Sequence, residues 1–151
     1  MIYSMSLQVF CIAMPSYKTY VSNGFKKAVW AKVDSDKTAL ESVQIKYTDK
    51  DGSSTKIKTT YITDFCDRNG FTKIHSGYST AFDYNVDGSD SVYVSIITED
   101  GAFVCSAHSV RANRSVIVDR DCQLRRALYK TMFEFGDSKL WVDEFGNDHA
   151  I

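Results

Sequence analysis

The sequence predicts an α+β domain in which a predominantly antiparallel β-sheet of hairpins packs against one main C-terminal helix and one short helix. Asp-Gly pairs support this fold, because Asp-Gly accepts the positive φ angles that tight hairpin turns require. Three such pairs separate segments with strand character, at Asp51-Gly52, Asp87-Gly88 and Asp100-Gly101. The helices follow from apolar residues at helical spacing, each run ending at a glycine.

Length and composition predict one globular domain over residues 1–151. Of the 151 residues, 44% are hydrophobic and 25% are charged, which is close to the average for folded domains and excludes a disordered chain. A chain of this length buries enough apolar surface to fold without a metal ion or a disulfide. We therefore expect no cofactor.

The cysteines and the hydropathy pattern predict a cytoplasmic protein. The four cysteines are Cys11, Cys66, Cys105 and Cys122. None belongs to a C-x-x-C pair or has a histidine at metal-ligand spacing, so we predict free thiols in a reducing compartment. No stretch approaches the roughly 18 apolar residues that a membrane helix needs. The apolar segment 7–14 has neither the basic residues nor the cleavage site of a signal peptide.

The first hairpin is predicted over residues 43–59, because apolar and polar residues alternate on both sides of its Asp-Gly pair. The hairpin over 91–110 is apolar on both faces and is predicted to lie centrally in the sheet. In this hairpin over 91–110, a two-residue loop at Asp100-Gly101 places Tyr93 opposite His108. The remaining predicted strands are 6–14, 28–33 and 140–142.

The short helix is predicted from a Thr60 cap to Gly70, which ends it as a left-handed terminator. The main helix is predicted from Asp119 or Asp121 to Gly136. The apolar faces are Ile62, Phe65 and Cys66 in the short helix, and Leu124, Leu128, Met132 and Phe135 in the main helix. We expect the main helix to pack on the sheet.

Candidate catalytic and metal-binding residues fail tests of spacing. Residues 83–88 begin like a calcium loop, but Val94 occupies the position of the bidentate glutamate. His75 and His108 are each followed by serine, yet no G-x-S-x-G motif is present. Cys122 lies at the start of the predicted main helix, where neighbouring aspartates oppose a thiolate. We predict no catalytic residue and no metal site.

The densest positive charge lies in segment 111–130, in which arginine predominates. Its basic residues are Arg111, Arg114, Arg120, Arg125, Arg126 and Lys130. Arginine presents a planar fork of donors that suits phosphate and carboxylate groups. This segment is therefore the predicted site for a ligand or phosphate group, although the isoelectric point of about 6.3 argues against a dedicated nucleic-acid protein.

A second contact surface is predicted where lysines accompany an aromatic side chain. Trp30 and Lys32 share one face of the strand predicted at 28–33. Lys46 and Lys58 share the outer face of the first predicted hairpin, directly opposite each other. Stacking on the ring beside these cations suits a nucleic acid, and the lysines alone suit a surface that prevents strand aggregation.

Three hypotheses for function remain, and an enzyme is not the favoured one. The leading hypothesis is a small non-enzymatic interaction module with a protein partner, of the kind found among viral or mobile-element accessory proteins that modulate a host macromolecule. The second is a binder of nucleic acid, nucleotide or another phosphorylated ligand through Arg111–Lys130. The third is a small enzyme whose active site forms at a subunit interface, which leaves homo-oligomerisation open.

Overall fold

Two four-stranded β-sheets face each other, helices cover the outer side of one sheet, and a short hairpin covers the outer side of the other. The computed structural model describes residues 16–50, 59–85, 91–111, 114–127 and 140–150. Within these residues the mixed α+β architecture with mostly antiparallel sheets is confirmed. No helix in the described ranges is long and apolar enough to cross a membrane.

The first sheet combines strands from the beginning, the middle and the later part of the chain. It consists of β1 (Ser16–Asn23), β4 (Ser79–Asn85), β7 (Ser115–Val118) and β8 (Leu124–Ala127). Their order across the sheet is β4-β1-β7-β8. β1 and β7 are parallel neighbours, whereas the other pairs are antiparallel. Parallel neighbours need a crossover connection, and the second sheet lies within that connection.

The second sheet is antiparallel throughout and carries the two helices of the described residues. It consists of β2 (Val29–Asp34), β3 (Thr72–Ile74), β5 (Ser91–Thr98) and β6 (Phe103–Arg111), in the order β3-β2-β5-β6. The helices are α1 (Lys37–Lys50) and α2 (Thr59–Arg68). A two-stranded hairpin of β9 (Leu140–Val142) and β10 (Asp148–Ala150) follows near the C-terminus.

Three apolar clusters hold these layers together. The cluster between the two sheets includes Val21, Val29, Val94, Ile96, Val116 and Val118. The cluster between the second sheet and the helices includes Trp30, Phe65, Cys66 and Ile97. The cluster between the first sheet and the β9–β10 hairpin includes Ile117, Ala127 and Trp141. Adjacent strand residues serve different clusters because side chains alternate between the two faces of a sheet.

The short helix predicted from Thr60 is present as α2. Its apolar face is buried, with Ile62, Phe65 and Cys66 between 0 and 4% exposed. Gly70 ends the helix with a φ of 78°. The N–H of Phe71 then donates to the C=O of Cys66 at 2.9 Å, which satisfies one of the carbonyls that a helix end leaves unpaired.

The prediction of the first hairpin is wrong for its first strand, because residues 43–48 belong to α1. The carboxylate of Asp36 accepts the N–H of Thr38 at 3.0 Å, as a residue that caps a helix N-terminus does. Leu40 and Val43, nearly one turn apart, are buried against the second sheet. Burial at helical spacing thus outweighs the two-residue alternation, since strand propensity depends strongly on context.

The prediction of the main C-terminal helix is wrong over its first residues, because Leu124–Ala127 is the strand β8. The Asp119 carboxylate accepts the N–H groups of Asp121 and Gln123, both at 2.9 Å. These bonds close a tight turn between β7 and β8 instead of capping a helix. The remainder of the predicted helix, 128–136, lies outside the described residues.

The predicted hairpin over 91–110 corresponds to the antiparallel pair β5–β6, with a changed register. His108 lies opposite Val94, one position away from its predicted partner. An extra residue in β6 causes this shift: Ala107 has a φ of 48°, and its N–H donates to the Ser95 hydroxyl at 2.9 Å. β5 lies centrally in the sheet as predicted, whereas β6 forms an edge.

Three five-residue turns share one hydrogen-bond pattern. They span 98–102, 119–123 and 143–147. In each turn the N–H of the first residue donates to the C=O of the fifth at 2.8–2.9 Å, and the N–H of the fourth donates to the C=O of the first at 2.9–3.1 Å. The fourth residue has a positive φ in each case, namely 91° at Gly101, 62° at Cys122 and 87° at Gly146. Cys122 therefore occupies a position that favours glycine.

We expect Cys122→Gly to be more stable than Cys122→Ala by about 1 kcal/mol, because only alanine keeps the side-chain penalty of the left-handed conformation. Both variants remove the thiol, so its packing cancels in the comparison. Urea unfolding of the two variants measures the difference. Equal midpoints would show that the turn relaxes and that Cys122 is unstrained.

Candidate anion-binding cleft

The structure divides the arginine-rich segment between two clefts. The first cleft contains Arg111, Arg114 and Arg126. The second contains Arg120 and Arg125. Lys130 lies outside the described residues. Arg125 and Arg126 are neighbours on β8 and reach different clefts, because successive side chains of a strand point to opposite faces.

The first cleft has a volume of about 450 Å³ and lies where β6 ends and β7 begins. Arg111 is the last residue of β6, and the N–H of Arg114 donates to its C=O at 3.1 Å. This bond brings the two arginines to the same end of the fold. Arg126 pairs with Val116 across the β7–β8 ladder and adds the third guanidinium group. Glu144, from the β9–β10 turn, completes the charged lining.

Positive charge exceeds negative charge among the described lining residues. Three guanidinium groups accompany one carboxylate, and an Oε2 to Nη1 distance of 4.0 Å joins Glu144 to Arg126. Both side chains are substantially exposed, so this ion pair contributes little to stability. Burial and the positive charge of Arg126 together lower the pKa of His108. The described lining residues therefore carry a net positive charge that favours an anion.

Ser115 has a buried hydroxyl without a partner among the described residues. Ser115 is 1% exposed, and no described residue forms a hydrogen bond with its Oγ. A buried hydroxyl without a partner costs about 1–3 kcal/mol. Ser115 pairs with Ala127 across the β7–β8 ladder, so its side chain lies on the sheet face opposite to that of Arg126. The hydroxyl is therefore not a donor of the cleft.

The β9–β10 turn presents Phe145 at the edge of the same cleft. Phe145 lines the cleft and is 80% exposed. Its backbone is held in place, because the N–H of Phe145 donates to the Asp143 carboxylate at 2.9 Å. The aromatic ring therefore projects from an ordered turn.

Asp143 is the residue that orders this turn. The same carboxylate accepts the N–H of Asn147 at 2.9 Å and is hydrogen-bonded to Nε2 of His149 at 2.8 Å. The bond to His149, followed by the backbone N–H groups, lowers the pKa of Asp143 to about 2. Asp143 is therefore ionised at neutral pH, and all of these bonds involve a charged acceptor, which makes them stronger.

The second cleft has a volume of about 330 Å³. The Arg125 guanidinium lies 3.6 Å from the Asp119 carboxylate and 5.6 Å from the centre of the Trp141 ring. The other charged side chains among its described lining residues are Arg120, Asp121 and Asp148. Since three aspartates outnumber two arginines, the described lining provides no excess positive charge for an anion.

The structure does not place the residues of the second predicted contact surface where the sequence predicts them. Trp30 is 4% exposed and packs beneath the helices, with the Lys73 ammonium 5.8 Å from its ring centre. The Lys32 ammonium donates to the C=O of Asn69 at 2.8 Å. Lys46 lies on α1, and the position of Lys58 is outside the described ranges. The sheet face that the prediction uses is therefore covered by helices.

The thiol groups in the described residues are poor nucleophiles. Cys122 lies in the β7–β8 turn, and burial together with Asp119 and Asp100 raises its pKa. Burial raises the pKa of Cys66 and of Cys105 to about 12. Thiols with such pKa values are protonated at neutral pH, whereas nucleophilic attack needs the thiolate.

The histidine and calcium candidates do not form a metal site within the described residues. His75 is exposed in the segment after β3. Asp83 lies on β4 and its carboxylate is 3.8 Å from the Lys18 ammonium. The second half of the predicted calcium loop, 86–88, falls in a part of the chain that the structure does not describe. No three potential metal ligands come together in the described ranges.

Sequence reasoning identified the arginines of the first cleft but not the other residues that shape it. Glu144 and Phe145 carry no signal, because they join the cleft only through the packing of the β9–β10 hairpin. Comparison of this chain with models of protein families, with curated proteins and with solved structures finds no match.

Proposed function

We propose that the first cleft binds a phosphate-bearing ligand. The observation that supports this function best is the convergence of three guanidinium groups, those of Arg111, Arg114 and Arg126, on one cleft. Each guanidinium offers several donors in a fixed fork. Such a set of donors binds a group that carries several acceptor oxygens and more than one negative charge.

A phosphate group fits this cleft better than a carboxylate does. A carboxylate brings one negative charge and two oxygens, whereas a phosphate brings nearly two charges and three terminal oxygens. Among the described lining residues, three arginines opposed by Glu144 match the larger charge. The interaction module with a protein partner stays a prediction.

Calorimetric titration with inorganic pyrophosphate tests this function. We expect Arg126→Gln to weaken binding about tenfold or more, because a hydrogen bond to a charged group contributes about 1.5–3 kcal/mol. Arg125→Gln is the matched control, because it removes the same charge from the preceding residue of β8. Arg125 lines the second cleft. Binding to the wild type is expected to weaken as ionic strength rises.

Two results would contradict the proposal. The first is the absence of pyrophosphate binding to the wild type at low ionic strength. The second is an equal loss of affinity in Arg125→Gln and Arg126→Gln, which would indicate attraction to the overall charge of β8 rather than to the cleft. The thermal midpoint of each variant shows whether it remains folded.

A further inference from the structure

We propose that the phosphate-bearing ligand is a nucleoside phosphate whose base stacks on Phe145, an inference that rests on the proposed function. Phe145 lines the same cleft as the arginines and exposes 80% of its surface. Bases stack on exposed aromatic rings in this way, and such stacking contributes substantially to affinity. A phosphate alone would leave this ring without a role.

The order of the turn supports this stacking. Asp143 holds the backbone N–H of Phe145 at 2.9 Å and that of Asn147 at 2.9 Å. Gly146 follows with the positive φ that closes the turn. A ring on an ordered backbone loses little conformational freedom when a base stacks on it, which favours binding.

The carboxylate of Glu144 also favours a nucleoside phosphate. Its carboxylate lies in a cleft that otherwise attracts anions, so it repels a bare phosphate. A carboxylate accepts hydrogen bonds from neutral donors, and the hydroxyls of a ribose and the amino groups of a base are such donors. Carboxylates bind ribose hydroxyls in dinucleotide-binding proteins for this reason. The combination of cations, one acceptor and an exposed ring thus matches a sugar, a base and a phosphate.

The size of the cleft favours a single nucleotide over a nucleic-acid strand. Its volume of about 450 Å³ lies within the range of roughly 300–1,000 Å³ that is usual for small-molecule sites. A strand needs a groove in which cations follow the backbone. Here the cations of the first cleft converge at one end of the fold, where β6, β7 and β8 meet.

Three ligands distinguish the contribution of the phosphate group to affinity from that of the base. Calorimetry is performed with pyrophosphate, ribose 5-phosphate and adenosine monophosphate on the wild type. We expect adenosine monophosphate to bind about 5- to 150-fold more tightly than ribose 5-phosphate, which is the gain that stacking of one base provides. Phe145→Ala is expected to remove this gain and to leave the affinities for ribose 5-phosphate and pyrophosphate unchanged.

Two variants serve as controls for the ring. Phe145→Trp keeps a flat aromatic surface and is expected to keep the preference for adenosine monophosphate. Tyr78→Ala removes another aromatic ring, 67% exposed, which is not among the described lining residues of the cleft. We expect it to change none of the affinities.

The outcomes distinguish this inference from the proposed function. Equal affinities for adenosine monophosphate and ribose 5-phosphate, with pyrophosphate bound, would overturn the inference and leave the proposed function standing. Failure of all three ligands to bind would overturn both. A thymidine pentanucleotide that binds roughly 100-fold more tightly than adenosine monophosphate would identify a single-stranded nucleic acid as the ligand and overturn the assignment to a single nucleotide.

Discussion

Replacing Trp141 by alanine is expected to lower the free energy of unfolding by about 3–5 kcal/mol, the usual loss for a buried tryptophan. Trp141 is 1% exposed and packs against Ile117 and Ala127 of the first sheet. Its ring stacks on His149, with ring centres 4.3 Å apart and planes inclined by 17°. Trp141 therefore attaches the β9–β10 hairpin to the sheet.

The same substitution is expected to weaken ligand binding, because the hairpin carries Glu144 and Phe145 into the first cleft. Trp30→Ala is the matched control. Trp30 is 4% exposed and belongs to the cluster beneath the helices, so its loss destabilises the fold without moving the cleft. Urea unfolding and titration with adenosine monophosphate measure the two effects. A loss below about 1 kcal/mol in Trp141→Ala would contradict the anchoring role.

Replacing Ser115 by alanine is expected to raise stability and to leave binding unchanged. The variant is expected to be more stable by about 1–3 kcal/mol, because the buried hydroxyl has no described partner. The hydroxyl is not accessible from the cleft. The affinity of the variant for pyrophosphate is therefore expected to equal that of the wild type.

Thermal unfolding with and without pyrophosphate measures both effects in one experiment. Ser109→Ala is the control, since Ser109 also lines the cleft but is exposed, and its loss is expected to leave stability unchanged. If Ser115→Ala is less stable than the wild type without ligand, the hydroxyl is satisfied within the fold.

The sequence predicted best those elements whose signals are local. α2 lies where the spacing of Ile62, Phe65 and Cys66 and the terminator Gly70 indicate. β2, β5 and β9 also lie close to their predicted positions. In these segments the propensity of the residues, the turn chemistry and the final burial agree, which makes a local prediction reliable.

Two elements were predicted incorrectly because one pattern is compatible with two structures. The alternation over 43–48 resembles a strand, yet Leu40 and Val43 are buried on one face of α1. Asp119 resembles a helix cap, yet its carboxylate closes the β7–β8 turn. An aspartate side chain accepts the backbone N–H two residues ahead in either setting, and only the pairing of β8 with β7 decides between them.

The sequence by itself determined the composition of the site: an arginine-rich segment whose forked donors suit an anion. Only the tertiary structure decided which arginines lie in the same cleft. It separated Arg125 from Arg126, because neighbours on a strand face opposite ways. It also brought Glu144 and Phe145 to the same cleft. Side-chain chemistry is a local property that sequence records, whereas convergence depends on sheet order and packing between segments that are distant along the chain.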